Sequence, residues 1–210
     1  VAIDMPAGPS ELLVVADDSA VPAFVASDLL SQAEHGTDSQ VILVSTSKQM
    51  IEAVEEEVQS QLAVLPRKAI AEKAIANSKL IFVENQEIAL DLINEYGPEH
   101  FIVCTKNNDY YVDNIANAGS VFIGNYTPES AGDYASGTNH TLPTNGYAKN
   151  YSGVNLDSFM KSMTFQKISE AGIQTIGKAI EIMAEKEGLQ AHKLDLQGLR
   201  RTLMLNLDNS

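Results

Sequence analysis

Short apolar runs alternate along this chain with longer stretches whose apolar residues recur at helical spacing, and this alternation constrains the fold more than any other feature. A continuous apolar run such as Leu12–Ala16 is typical of a parallel strand that is buried on both faces. Strands that alternate with amphipathic helices form α/β folds with a mainly parallel sheet. The sequence therefore predicts a layered α/β fold with strands over residues 12–16, 40–45, 79–83, 101–104 and 120–123.

The alternation stops at Gly124, and from there to Gly153 the chain is rich in glycine and hydroxyl groups. A stretch of this length without periodicity is usually functional or disordered, and its tyrosines argue against disorder. We therefore predict an incomplete Rossmann-like α/β domain over residues 1–153, in which residues 124–153 form a long functional loop. Residues 154–188 are predicted to form a strand at 163–165 and a helix that leads out of the domain. Residues 189–210 are predicted to form a C-terminal helical arm.

Composition and charge exclude several classes of protein. The 14 basic and 28 acidic residues give a net charge of −14, which disfavours binding to nucleic acids and anionic membranes. The single cysteine, Cys104, excludes an internal disulfide framework and a cysteine-rich zinc site. We expect neither a membrane span nor a signal peptide, because long apolar runs are absent. A cytoplasmic location fits best, and the abrupt start at Val1 is expected of a piece of a longer protein.

The chain contains only four histidines, at positions 35, 100, 140 and 192, and each lies beside other polar groups. Gln32 and His35 are three residues apart, so their side chains share one helix face and could reach one metal ion. The alternative is that His35 simply stabilises the carboxyl end of the helix through its charge. Both interpretations remain open from the residues alone.

Two further pairs of residues could carry chemistry. Glu99 and His100 lie at a junction between a helix and a strand, where they could serve as two proton-transfer groups. The alternative is an exposed pair without a role. Asp133 and His140 lie inside the long irregular segment, where loop residues often carry function but also often satisfy backbone groups.

His35, Asp133 and His192, together with Gln32, could also form one metal site. Zinc accepts nitrogen and oxygen donors of this kind, and such a site is catalytic when one position remains for the substrate. Glutamine is an unusual zinc ligand. Periodicity and spacing alone therefore predict an α/β enzyme and leave open whether its activity depends on a metal.

Five stretches carry a resemblance to one family, and the central stretch, AGSVFIGNYTPESAGDYASGTNHTLPT, is highly specific. They occur in order over nearly the whole chain, at residues 4–13, 26–40, 94–101, 118–144 and 184–193. At these residues the sequence resembles histidinol dehydrogenase, and it corresponds to the C-terminal half of the family's chain.

The resemblance implies a zinc-dependent enzyme that uses NAD to oxidise L-histidinol through L-histidinal to L-histidine, in histidine biosynthesis. It places one Zn²⁺ per site on Gln32, His35, Asp133 and His192. The acid–base pair falls on Glu99 and His100. The main NAD contacts are expected upstream of Val1, so none is assigned. The substrate-binding positions implied by the resemblance are Ser10, Gln32, His35, His100, Asp133, His140, Glu187 and His192.

The resemblance also implies a homodimer with shared active sites. The arm over residues 189–210 would pack on the partner subunit, so that Glu187 and His192 complete the neighbour's site. The other expected partner is the N-terminal half of the same enzyme. Two alternatives stay open for the chain by itself: a fragment that binds zinc and histidinol without turnover, and a folding unit in which the metal site is unformed.

Overall fold

A computed structural model describes residues 5–6 and 8–207, with side chains described as far as residue 199. The chain divides into two compact units, residues 1–160 and residues 161–210. None of the described helices is long and apolar enough to cross a membrane.

A parallel sheet of five strands forms the centre of the first unit, as the sequence predicts. The strands are β1 (Glu11–Ala16), β2 (Gln40–Ser45), β3 (Lys79–Phe82), β4 (His100–Cys104) and β5 (Ser120–Ile123). Their order in the sheet is β3-β2-β1-β4-β5, so the sheet extends in both directions from β1. The register pairs Leu12 of β1 with Val41 of β2 and with His100 of β4.

Helices cover both faces of this sheet. Leu12 and Val14 of β1 belong to the core cluster shared with the first three helices, whereas Leu13 and Val15 belong to the cluster on the opposite face. This alternation explains why the central strands are apolar throughout. The helices of the first unit are α1 (Pro22–Ala33), α2 (Lys48–Val64), α3 (Lys68–Ala76), α4 (Gln86–Tyr96), α5 (Asn108–Asn114) and α6 (Glu129–Tyr134).

Local signals fix several helix ends. Ser47 caps α2 by accepting a hydrogen bond from the backbone N–H of Met50 at 3.2 Å. Gly97 ends α4 in the left-handed conformation, with φ of +64°. Helix α1, by contrast, begins at Pro22 without a side-chain cap.

The long segment after β5 contains more structure than its composition indicates. It forms α6 and a 3-10 helix at Tyr147–Lys149. Leu142 and Thr144, which lie between these two helices in the sequence, are buried. The backbone N–H of Val154 donates to the carbonyl of Thr141 at 3.0 Å. A second 3-10 helix follows at Leu156–Phe159.

The second unit consists of α7 (Glu170–Lys186) and α8 (Gln190–Leu207), which pack against each other. The strand predicted at 163–165 is wrong, because these residues pair with no other strand and their side chains are exposed. The apolar spacing of α7 predicts that Ile173, Ile176, Ile180 and Met183 face inward. Ile173 is half-buried, but the prediction is wrong for Ile176, Ile180 and Met183, which are exposed. The buried residues of α7 are Gly177, Glu181 and Ala184.

Candidate active and metal site

The candidate site lies at the amino edge of the sheet. Strands β1 and β4 are neighbours and begin there, which places Glu11 beside His100. Helix α1 runs back against the direction of β1, so its last turn returns Gln32 to the same edge. Helix α6 adds Glu129 and Asp133, which lie one turn apart and therefore share a face.

Glu99 and His100 form a buried pair at the start of β4, with 6% and 3% of their surfaces exposed. Glu99 Oε2 accepts a hydrogen bond from the Glu11 N–H at 2.8 Å and lies 3.6 Å from His100 Nδ1. Nδ1 also lies 3.2 Å from the Glu11 carbonyl oxygen. Nε2 has no hydrogen-bond partner within the described part of the chain and faces Asp133 Oδ1 at 3.8 Å. The ring is therefore held at one nitrogen and open at the other.

The surroundings of His100 favour its protonated form. Burial works against the charge, but the neighbouring Glu99 carboxylate and the nearby Glu129 outweigh it, so the pKa of His100 is raised above its ordinary value. An imidazole held at Nδ1 and open at Nε2 can accept and return a proton, which suits general acid–base chemistry.

A cluster of possible metal ligands lies next to this pair. One ligand atom each from His35, Glu129 and Asp133 lie within 4.8 Å of one another. Glu129 is only 1% exposed, and its burial, although opposed by the charge of His100, raises the pKa of its carboxyl group to about 8. A buried carboxylate of this kind needs either a proton or a cation.

The Gln32 amide lies against the Glu129 carboxylate and adds a donor to this cluster. The amide nitrogen donates to Glu129 Oε2 at 3.2 Å, and the amide oxygen accepts from the Glu11 N–H at 3.3 Å. The amide, imidazole and carboxylate donors together suit a divalent metal such as zinc.

The structure brings together five of the predicted site residues at this edge: Gln32, His35, Glu99, His100 and Asp133. Ser10 immediately precedes β1, and its carbonyl accepts from the Gln40 N–H at 3.0 Å. His140 is exposed in the loop after α6. Glu187 and His192 are exposed in the second unit, at the end of α7 and on α8. The individual roles of these residues remain predictions.

Sequence reasoning missed Glu11 and Glu129. Glu129 lies four residues before Asp133, a spacing that places two side chains on one helix face. This spacing is informative only if α6 is recognised as a helix from the sequence. The six residues of α6 include a glycine and show little helical periodicity. Glu11 opens an apolar strand and carries no motif of its own.

The family model for histidinol dehydrogenase matches residues 1–198 of this chain, which includes every residue of the site described above. The chain belongs to the histidinol dehydrogenase family. The resemblance found in the sequence is thereby confirmed.

Individual relatives agree with this assignment. The chain is 63% identical over 193 residues to a histidinol dehydrogenase from Bacteroides fragilis, covering 92% of this chain and 45% of the relative. It is 56% identical over 191 residues to one from Pseudoalteromonas translucida, covering 91% and 44%. A crystal structure of histidinol dehydrogenase from Elizabethkingia anophelis matches with a TM-score of 0.94 and 57% identity, covering 97% of this chain and 47% of that one. The chain thus spans less than half the length of these family members.

Proposed function

We propose that this chain forms part of a zinc-dependent, NAD-linked enzyme that oxidises L-histidinol through L-histidinal to L-histidine, in cytoplasmic histidine biosynthesis. The observation that carries the proposal is the position of His100: its open Nε2 faces Asp133, beside the donors His35 and Glu129. A proton-transfer group and a metal-donor cluster therefore share one edge of the sheet.

Zinc would be held by Gln32, His35 and Asp133, with His192 as the fourth ligand from the partner subunit. When bound, zinc would orient the substrate through its amine and imidazole nitrogens and polarise the reacting oxygen. Glu129 would balance the charge of the metal from its buried position between Gln32 and Asp133. Ser10, His140 and Glu187 are proposed to complete the substrate contacts.

The two oxidations require separate proton transfers. NAD⁺, when bound, would accept the hydride released in each oxidation. In the first oxidation, His100 accepts the hydroxyl proton through Nε2. In the second oxidation, Glu99 accepts a proton from the water that adds to the aldehyde carbon, and His100 again relays a proton. Glu99 Oε2 is engaged by the Glu11 N–H, so the carboxylate is fixed in orientation before it meets water.

We further propose a homodimer with shared sites, in which residues 189–210 pack on the partner and deliver His192 and Glu187. The exposed apolar residues of α7 support this arrangement, because Ile176 and Met183 are 43% and 63% exposed in the single chain. Side chains of this type favour burial in an interface.

A second candidate function applies to the chain by itself: a fragment that binds zinc and histidinol but does not turn over. The short span relative to the family favours this alternative, because the chain covers only 45% of the Bacteroides fragilis enzyme. The N-terminal half of the protein, which is expected to carry the main NAD contacts, would then have to be supplied for activity.

The test compares the 210-residue chain with a complete protein that contains it. The zinc-loaded complete protein should form about two NADH per histidinol oxidised, with histidine as product, and removal of zinc by a chelator should abolish this reversibly. The fragment alternative predicts zinc and histidinol binding by the chain alone, without NADH. A zinc-loaded complete protein that forms no NADH from histidinol would contradict the proposed function.

A further inference from the structure

The side chain of Glu11 joins the amino edge of the sheet to the long segment that carries His140. Its Oε1 accepts a hydrogen bond from the backbone N–H of Asn145 at 2.9 Å. Glu11 is the first residue of β1, and it is only 7% exposed. A carboxylate held in this way fixes where the backbone of Asn145 lies against the strand.

The backbone of the same residue holds the groups proposed to carry out the chemistry. The Glu11 N–H donates to Glu99 Oε2 at 2.8 Å, and the Glu11 carbonyl oxygen lies 3.2 Å from His100 Nδ1. Glu11 therefore contacts the acid–base pair through its main chain and the long loop through its side chain.

The segment that carries His140 is fitted tightly onto this edge. A Cβ atom added at Gly8 would lie 2.6 Å from Thr144 Oγ1, and one added at Gly119 would lie 3.2 Å from Leu142 Cβ. Both Leu142 and Thr144 are buried. Because His140 lies two residues before Leu142, a shift of the docked segment would displace His140 as well.

We propose that Glu11 is a positioning residue, whose carboxylate sets the place of residues 139–146, and through them of His140, relative to Glu99 and His100. The inference rests on the proposed function, in which His140 contacts histidinol. The Glu11 carboxylate acts through the loop, so its loss impairs the binding of histidinol more than the chemical steps.

The test uses steady-state kinetics of the complete protein with substitutions at Glu11. E11A removes the acceptor for the Asn145 N–H, and the KM for histidinol should rise about ten-fold while kcat changes by less than about two-fold. The aspartate side chain of E11D is too short to reach the Asn145 N–H, so E11D should behave like E11A. E11D therefore provides the test if E11A does not fold. E11Q retains an acceptor oxygen and should keep a KM within about two-fold of the unmodified protein.

The matched control is E95Q, which breaks a different tether of the same loop. Glu95 pairs with Lys149 at 3.0 Å, and its side chain is 88% exposed. E95Q should leave KM and kcat unchanged, since exposed ion pairs contribute little. The double variant E11A/H140A should have the KM of H140A alone, because both changes remove the same contact.

Three results would overturn the inference. The first is an unchanged KM for histidinol in both E11A and E11D. The second is a rise in KM in E11Q that is as large as the rise in E11A. The third is a rise in KM in the double variant that equals the product of the rises in the two single variants. A complete, unmodified protein that does not oxidise histidinol would overturn the proposed function, and this inference with it. The unmodified protein therefore separates the two kinds of failure.

Discussion

At the scale of single residues, the site is built from buried carboxyl groups whose charge is costly. Burial is the largest cause that raises the pKa of Glu11 to about 7 and that of Glu129 to about 8. From the sequence, the spacing of Gln32 and His35 predicts that their side chains share one helix face. Burial depends on which segments pack together, so the sequence alone could not indicate the perturbed carboxyl groups.

The metal-donor cluster should be sensitive to single changes. H35A and D133A in the complete protein should each lower zinc content to well under half and abolish turnover, because each removes one ligand from a small set. H140A is the matched control, since this histidine lies outside the cluster: it should keep its zinc. Zinc content can be measured by mass spectrometry of the metal after gel filtration. Normal zinc and normal turnover in H35A or D133A would remove that residue from the site.

Glu99 and His100 should have separable roles. E99Q should slow oxidation of histidinal by roughly 10²–10⁴-fold, the range typical of a general base, while oxidation of histidinol slows much less. Each half-reaction can be followed separately by NADH formation from the alcohol or the aldehyde. Equal slowing of both half-reactions would contradict the assignment of water activation to Glu99.

At the scale of secondary-structure elements, the site lies on the less usual edge of the sheet. Parallel α/β sheets generally bind ligands at the carboxyl ends of the strands, where the strand order reverses. In this sheet the strand order reverses between β1 and β4. Asp17 connects the ends of these two strands there. Its carboxylate accepts a hydrogen bond from the Lys106 N–H at 2.9 Å, and its own N–H donates to the Cys104 carbonyl at 3.2 Å. The apolar runs predicted the strands well, but no local pattern indicates which edge is used.

The bridge formed by Asp17 should make stability depend on pH. Burial opposes the charge, but hydrogen bonds from Ser19 and Lys106 outweigh it, so the pKa of Asp17 is lowered from 3.8. The stabilisation is therefore present above about pH 4 and is lost as the pH falls through the lowered pKa.

We expect D17N to be less stable than the unmodified chain by about 1 kcal/mol at pH 7, with the difference shrinking as the pH falls below about 4. Urea unfolding at several pH values measures this difference. D18N changes the adjacent, exposed aspartate and should have no such effect. A difference between D17N and the unmodified chain that stays constant down to pH 3 would contradict the bridge.

At the scale of the whole molecule, the sequence predicts the α/β class and the family, and the structure and the family match confirm both. The second unit was less predictable: the strand at 163–165 does not form, and the apolar residues of α7 do not face inward in the single chain. Apolar periodicity indicates a face that is to be buried but does not indicate whether the same chain or a partner buries it.

Mixed dimers test whether that partner is a second copy. One subunit carries H192A and the other H35A, each nearly inactive in its own homodimer. If sites are shared, one site of the mixed dimer receives both changes and the other receives neither. The mixed dimer should therefore recover about half of the activity of the unmodified dimer. The control mixes H35A with D133A, whose ligands lie in one cluster, and should show no recovery. Absence of recovery in the first mixture, with subunit exchange confirmed by mass, would assign His192 to its own chain.

The most direct test of the central claim is the position of the metal itself. Anomalous diffraction at the zinc edge from crystals of the zinc-loaded complete protein locates the ion independently of any assay. We expect a single strong peak per site at the amino edge of the sheet, about 2.0–2.2 Å from donor atoms of His35 and Asp133. A zinc peak elsewhere in the molecule, with His35 and Asp133 free of metal, would contradict the claim that this edge is the catalytic metal site.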